Sequence, residues 1–268
     1  MTTRSFIPQP ASHQAVSKAA RLSLVGAGPG DPELITLKAI KALQTADAVL
    51  YDALVDPILL DYAPNAVKLF VGKRAGHHYM PQDKINQLIV ESAFQYGHVV
   101  RLKGGDPFIF GRGQEELEFA AAFDIPSTYV PGISSSIAVP GLAGIPLTTR
   151  GTNESFWVTT GTTSCGVLSS DIALAAQSSA TVVVLMGIGK LAEIVNIFRQ
   201  HRGADLPVAI IQNGSRENEA SVFGTLANIE ERMTEEGIGA PAIIVLGEVV
   251  SLRNIACLHD SVMEVTEA

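Results

Sequence analysis

From Arg21 onward, short apolar runs rich in β-branched residues alternate with segments of helical periodicity, and nearly every run stops at glycine or a reactive polar residue. Parallel strands joined by crossover helices produce that alternation, so the class predicted is α/β with mostly parallel sheets. A first series of strands is expected at 22–25, 48–51, 67–71, 99–102 and 128–130, and a second at 156–159, 181–185, 208–211 and 242–246. Ile35, Ala39, Ala42, Leu43 and Ala46 recur at helical spacing, and so do Ile85, Leu88, Ile89, Ala93 and Tyr96. Pro81 suits the first turn of that second helix and Gly97 its stop. Periodicity lapses over Gly144–Arg150, which divides the chain into α/β domains at 21–147 and 148–258, with tails at 1–20 and 259–268.

Composition narrows the function classes. The chain has 268 residues, 47% of them hydrophobic, which is enough to bury a substantial core. No apolar run approaches the ~20 residues that cross a bilayer, so no membrane span is expected. A formal charge of −8 opposes phosphate backbones, so nucleic acid is not an expected partner. Residues 1–20 lack the apolar stretch of a secretory signal. Cys165 and Cys257 fit neither a disulfide framework nor a zinc site, and a reducing cytoplasm is the expected location. His77 and His78 are adjacent but have no third ligand in the pattern, so no metal is expected.

The carboxyl ends of the predicted strands read Gly26–Asp31, Tyr51-Asp52, Gly72-Lys73-Arg74, Lys103–Pro107, Pro131–Ser134, Thr160-Gly161, Met186-Gly187 and Asn213-Gly214. Ligands of open parallel sheets bind outside such ends, where glycine lets backbone approach closely. One glycine after a strand makes only a turn; eight such ends imply one composite site. The Gly26–Gly30 loop resembles the start of a dinucleotide motif, but Pro29 removes a donor and the last glycine comes one position early. No Walker A sequence is present. Between Gly72 and Arg112 the cations Lys73, Arg74, Lys84, Arg101, Lys103 and Arg112 outnumber Asp83, Glu91 and Asp106, which suits a polyanionic small molecule. Asp52, directly after a strand, is equally suited to capping a turn and to removing a proton.

Four blocks are more specific: Val25–Asp31, Tyr51–Val55, Gly72–Gly76 and, above all, Arg101-Leu102-Lys103-Gly104-Gly105-Asp106-Pro107-Phe108-Ile109-Phe110-Gly111-Arg112-Gly113. With Val130–Ile133, Gly144–Thr148 and Pro241–Val250, they resemble the signature blocks of the uroporphyrinogen-III C-methyltransferases, within the wider tetrapyrrole methylase group. The resemblance implies a two-domain, homodimeric enzyme with S-adenosyl-L-methionine in the interdomain cleft and S-adenosyl-L-homocysteine as product. Uroporphyrinogen III would be methylated twice, to precorrin-2. Pro29, Gly104, Gly105, Asp106, Ile109, Ser134, Ser135, Met186 and Gly214 would contact the donor, with Asp52 as proton acceptor and Lys73 as proton donor. Arg74, Arg101, Lys103, Arg112 and Arg150 would face the substrate's carboxylates. Thr149 and Thr162 stand where the family commonly has histidine, Ser134-Ser135-Ser136 replaces a Thr-Ser/Ala pattern, and Gln114 replaces a glycine. The nearest alternative is a cobalt-precorrin methyltransferase, which the Lys103–Phe108 block opposes. A nucleotide-dependent oxidoreductase would instead use the Gly26 loop for NAD, and a non-catalytic tetrapyrrole binder would not need Asp52 and Lys73.

Overall fold

The computed structural model describes residues 18–72 and 80–253. Two five-stranded sheets form the framework. The first contains β1 (Arg21–Gly26), β2 (Ala48–Tyr51), β3 (Val67–Phe70), β4 (His98–Lys103) and β5 (Ser127–Val130), in the order β3-β2-β4-β1-β5. All of its pairings are parallel. α1 (Leu37–Gln44) covers one face, where Ala39 and Leu43 pack on Val25, Val49, Val100 and Leu102. α2 (Gln82–Tyr96) and α3 (Gly113–Ala121) cover the other, where Ile85, Ile89, Ala93 and Ala120 meet Leu22, Leu50 and Val99. Residues of β4 alternate between these faces, so Val99, Arg101 and Lys103 all point toward the α2/α3 side.

The chain leaves β1 toward α1 and leaves β4 toward α3, on opposite faces of adjacent strands. That divergence opens a crevice at the strand ends, the usual ligand position in such sheets. Across it, Gly28 and Gly105 exchange backbone hydrogen bonds, Gly105 N donating to Gly28 O at 2.6 Å and Gly28 N to Gly105 O at 3.3 Å. The two helices foreseen from periodicity are α1 and α2. α1 starts behind Thr36, whose hydroxyl accepts from Ala39 N at 3.1 Å. Pro81 sits at the N-cap of α2 rather than inside its first turn, and Gly97 closes the helix at φ +108°.

The second sheet holds β6 (Phe156–Thr160), β7 (Thr181–Leu185), β8 (Pro207–Gln212), β9 (Ala220–Thr225) and β10 (Ala242–Leu246), in the order β6-β7-β10-β8-β9. Here only β6 and β7 run parallel; β10 is antiparallel to both neighbours, as β9 is to β8. The parallel expectation therefore describes the first sheet, and the second is mixed. α5 (Asp171–Gln177), α6 (Leu191–Arg202) and α7 (Ile229–Glu235) cover one of its faces. The other face receives α4 (Ser135–Leu142), which leaves the end of β5 and packs Val139 and Ala143 against Val183, Leu185, Ile211 and Ile243. That helix joins the two sheets mechanically. No helix among the described residues is long and apolar enough to cross a membrane.

Candidate active site

Between the sheets lies a cleft of about 350 Å³, lined from the first sheet by Pro29, Asp52, Leu54, Lys103–Asp106 and Ile109–Gly111. α4 contributes Ser134, Ser135 and Val139; the second sheet contributes Leu185, Met186, Ile211, Asn213, Gly214, Arg216 and Pro241–Ile243. All nine residues expected around the methyl donor line this one space, as do Asp52 and Lys103. Pro241–Ile243 were not foreseen. They lie at the start of β10, and an antiparallel strand presents its beginning where its neighbours present their ends. Phe110, Met186 and Asn213 line the cleft at positive φ (54°, 54° and 51°), a conformation unfavourable for side-chain-bearing residues and concentrated at functional sites.

Local chemistry holds the loops. Asp106 is buried, and its Oδ1 accepts from Phe108 N at 2.8 Å. Its Oδ2 accepts from Tyr129 Oη at 2.6 Å and Gly132 N at 3.1 Å. The carboxylate thus ties the end of β4 to β5, and Phe108 stacks on the Tyr129 ring at 4.1 Å. Burial, with the Asp106 hydrogen bond and charge, pushes the Tyr129 phenol up to about 12, so it stays a donor at any working pH. Tyr129→Phe should lower stability by about 1.5–3 kcal/mol, the range for a hydrogen bond to a charged group. Unchanged urea and thermal unfolding midpoints would show that the tie is dispensable. Across the mouth, Ser215 Oγ accepts from Asp31 N at 3.0 Å, and the Arg216 guanidinium donates to the Leu54 carbonyl.

Asp52 caps a turn and also borders the cleft. Its Oδ1 accepts from Leu54 N at 3.0 Å, closing the turn after β2, while Oδ2 lies 3.7 Å from the Arg101 guanidinium and the residue borders the cleft. The substrate-facing expectation for Arg101 is corrected. That side chain is 3% exposed, and its guanidinium donates to Glu116 Oε1 at 3.2 Å and to Leu102 O at 3.0 Å. Its position in β4 turns it under the sheet toward α3. Lys103 does border the cleft, but its ammonium is held at 2.8 Å by the same Glu116 oxygen. Burial and the neighbouring Arg101 push that ammonium below the ordinary lysine range, while Glu116 and Asp52 act in the opposite sense. Arg112 is exposed and paired with Glu115 at 2.7 Å, and Arg150 is exposed in the turn after Leu147; neither borders the cleft. Lys73 and Arg74, with His77 and His78, lie outside the described residues.

A cleft of this size is within the roughly 300–1,000 Å³ of small-molecule sites. Its lining suits S-adenosyl-L-methionine. Ile211, Ala242, Ile243 and Leu185 offer an apolar wall for a flat heteroaromatic ring, and the Gly104-Gly105 backbone offers close polar contact for the amino-acid part. These features define an α/β protein with a small-molecule cleft between two unlike sheets. Residues 21–230 match the family model of tetrapyrrole (corrin/porphyrin) methylases, and the chain belongs to that family. It is 46% identical over 235 residues to a uroporphyrinogen-III C-methyltransferase of Methanocaldococcus jannaschii, covering 87% of this chain and 97% of that one. A solved uroporphyrin-III C-methyltransferase of Thermus thermophilus, complexed with S-adenosyl homocysteine, aligns at TM-score 0.75 and 39% identity, covering 87% of this chain and 99% of that one. A cobalt precorrin-4 methyltransferase, described as a cobalamin biosynthetic enzyme, aligns at TM-score 0.77 and 26% identity, covering 86% of this chain and 96% of that one.

Proposed function

We propose that this chain is a cytoplasmic S-adenosyl-L-methionine-dependent C-methyltransferase that methylates uroporphyrinogen III twice to give precorrin-2. The observation that carries the reading is a cleft in which a glycine-lined donor wall and the carboxylate of Asp52 face the same space. Family membership supports the donor, and the 46% identity to a uroporphyrinogen-III C-methyltransferase supports this substrate over a later corrin intermediate. Two α/β domains, 21–147 and 148–258, and a homodimeric assembly complete the proposal.

S-adenosyl-L-methionine supplies the methyl group by in-line displacement at its sulfonium, so positioning accounts for much of the acceleration. The protein's part is then geometric and protolytic. Loops 26–31, 104–107 and 131–135 fix the donor wall, while Met186, Asn213 and Gly214 close it from the second sheet. Methylation makes a ring carbon of the substrate tetrahedral, and a proton must leave the ring system; Asp52 accepts it, and Lys73 returns a proton elsewhere. Arg112 and Arg150, exposed outside the cleft itself, are assigned to the outer carboxylates of the substrate's eight.

Anaerobic incubation with uroporphyrinogen III and methyl-labelled donor should give a product heavier by two methyl groups. The donor and S-adenosyl-L-homocysteine should bind with comparable affinity in calorimetry, because the cleft holds the adenosine and amino-acid parts common to both. Tight NAD binding with neither of these ligands would move the chain to the oxidoreductase reading. Methylation of a cobalt-precorrin in preference to uroporphyrinogen III would move it to the neighbouring methyltransferase.

A further inference from the structure

Beneath the cleft floor lies a four-charge cluster that the proposed chemistry leaves unused in part. Glu116 on α3 is fully buried at 0% exposure, and one of its oxygens, Oε1, takes three donors: Arg101 Nε at 3.2 Å, Lys103 Nζ at 2.8 Å and Gln82 Nε2 at 3.1 Å. Its other oxygen, Oε2, is buried and accepts no hydrogen bond among the described residues. Arg101 reaches from this cluster to within 3.7 Å of Asp52 Oδ2. A buried, incompletely satisfied ion cluster is a poor way to stabilise a core, because desolvation offsets the attraction and an apolar replacement is often as stable. Its value has to be sought in what it holds in place.

We infer that Glu116 is a positioning residue for the proposed methyl transfer: its carboxylate detains the Arg101 guanidinium short of a close ion pair with Asp52 and keeps the Lys103 ammonium at the cleft floor. The inference rests on the reading of Asp52 as proton acceptor. A guanidinium carries a fixed fork of donors that engages a carboxylate through two bonds at once. At 3.7 Å it lies beyond hydrogen-bond distance from Asp52, so that carboxylate keeps an oxygen for the substrate proton. Without the Glu116 carboxylate, the buried guanidinium has one anion left within reach among the described residues, which is Asp52. The groups facing this carboxylate are Arg101 and Lys103 from β4 and Glu116 from α3; Asp106 and Arg216 border the same cleft.

The test is Glu116→Gln, which keeps shape and removes charge. Turnover should fall about 10- to 100-fold, while S-adenosyl-L-homocysteine affinity and KM for uroporphyrinogen III change less than about 3-fold, because the donor wall is untouched. The alkaline fall of kcat should move to lower pH. Glu116 acts to raise the Lys103 proton affinity, so removing its charge lets that ammonium deprotonate earlier. Adding Arg101→Met to Glu116→Gln should restore part of kcat, since no guanidinium then remains to capture Asp52. A cluster that merely stabilises the fold predicts the reverse: the double variant worse than the single, with kcat, ligand affinity and thermal midpoint falling together. That pattern, or an unmoved alkaline limb, overturns the inference. Should Glu116→Gln fail to bind S-adenosyl-L-homocysteine, Glu116→Asp carries the test, with a smaller loss confined to kcat expected and a loss shared by ligand affinity overturning it. The Asp52→Asn variant separates the two ideas. If it turns over normally, the proton-acceptor reading fails; if it is inactive while Glu116→Gln is normal, only the positioning role fails.

Discussion

Replacing Asp52 with asparagine is expected to lower turnover roughly 10²- to 10⁴-fold, the usual cost of removing a general acid or base. Folding and donor binding should survive. Asp52 Oδ1 closes its turn by accepting from Leu54 N at 3.0 Å, and an asparagine oxygen accepts there equally well. What changes is the second oxygen, which faces Arg101 at 3.7 Å and becomes an amide with negligible basicity. The buried Arg101 keeps Glu116 as its closer anion, so the substitution does not strand a charge in the core. Initial rates at saturating donor and substrate, with calorimetry of S-adenosyl-L-homocysteine on the same sample, separate the alternatives. Near-normal turnover would take Asp52 out of the mechanism and leave it a turn cap, with the methyltransferase reading intact.

Much of the framework is legible in the sequence because the inner strands are buried on both faces: β2, β7 and β10 are apolar nearly throughout, and β1 and β4 keep an apolar core around Ser23 and Arg101. β2, β7 and β10 fall at their expected boundaries, and the other expected strands differ by one residue, at one end in β3, β5 and β6 and at both ends in β1, β4 and β8. β9 is not legible: Ala220–Thr225 is an edge strand with Gly224 inside it, and its identity comes from its antiparallel register with β8 rather than from its own pattern. α4 is similarly hidden, since serines, Pro140 and Gly141 weaken its helical signal, and it forms because Val139 and Ala143 are buried against the second sheet. The donor wall is legible because glycine at a strand end marks close backbone approach wherever it occurs. The charged groups are not. Whether Arg101 faces a ligand depends on which sheet face α3 covers, and Glu116, one of two adjacent glutamates in an amphipathic helix, has no sequence mark that separates it from exposed Glu115. Strand direction is equally silent, which is why Pro241–Ile243 emerge as cleft residues only once β10 is seen to run antiparallel.

Gly132→Ala is expected to weaken S-adenosyl-L-homocysteine binding by at least about tenfold, equivalent to roughly 1.4 kcal/mol. A Cβ at this position would stand 2.2 Å from Gly105 O and 2.7 Å from Gly26 Cα. Both are backbone atoms at the ends of β4 and β1, so no side chain can swing away to make room. Relief requires the 104–107 loop to move off the β5 end, against the Asp106 Oδ2 bond to Gly132 N at 3.1 Å and the paired Gly28–Gly105 backbone bonds. Those same loops form the first-sheet side of the cleft, so overpacking here reads out in ligand affinity as well as in stability. The stability loss should be about 1–3 kcal/mol, typical of forcing atoms into a filled space. Gly189 supplies the control, because a Cβ there meets nothing within 4 Å and its φ is not in the left-handed range. Gly189→Ala should stay within about 0.5 kcal/mol of the parent, as surface substitutions usually do, with unchanged ligand affinity. Calorimetric affinities and urea midpoints for the pair decide the matter: a Gly132→Ala protein that binds like Gly189→Ala would mean that the convergence of the three strand ends does not shape the donor wall.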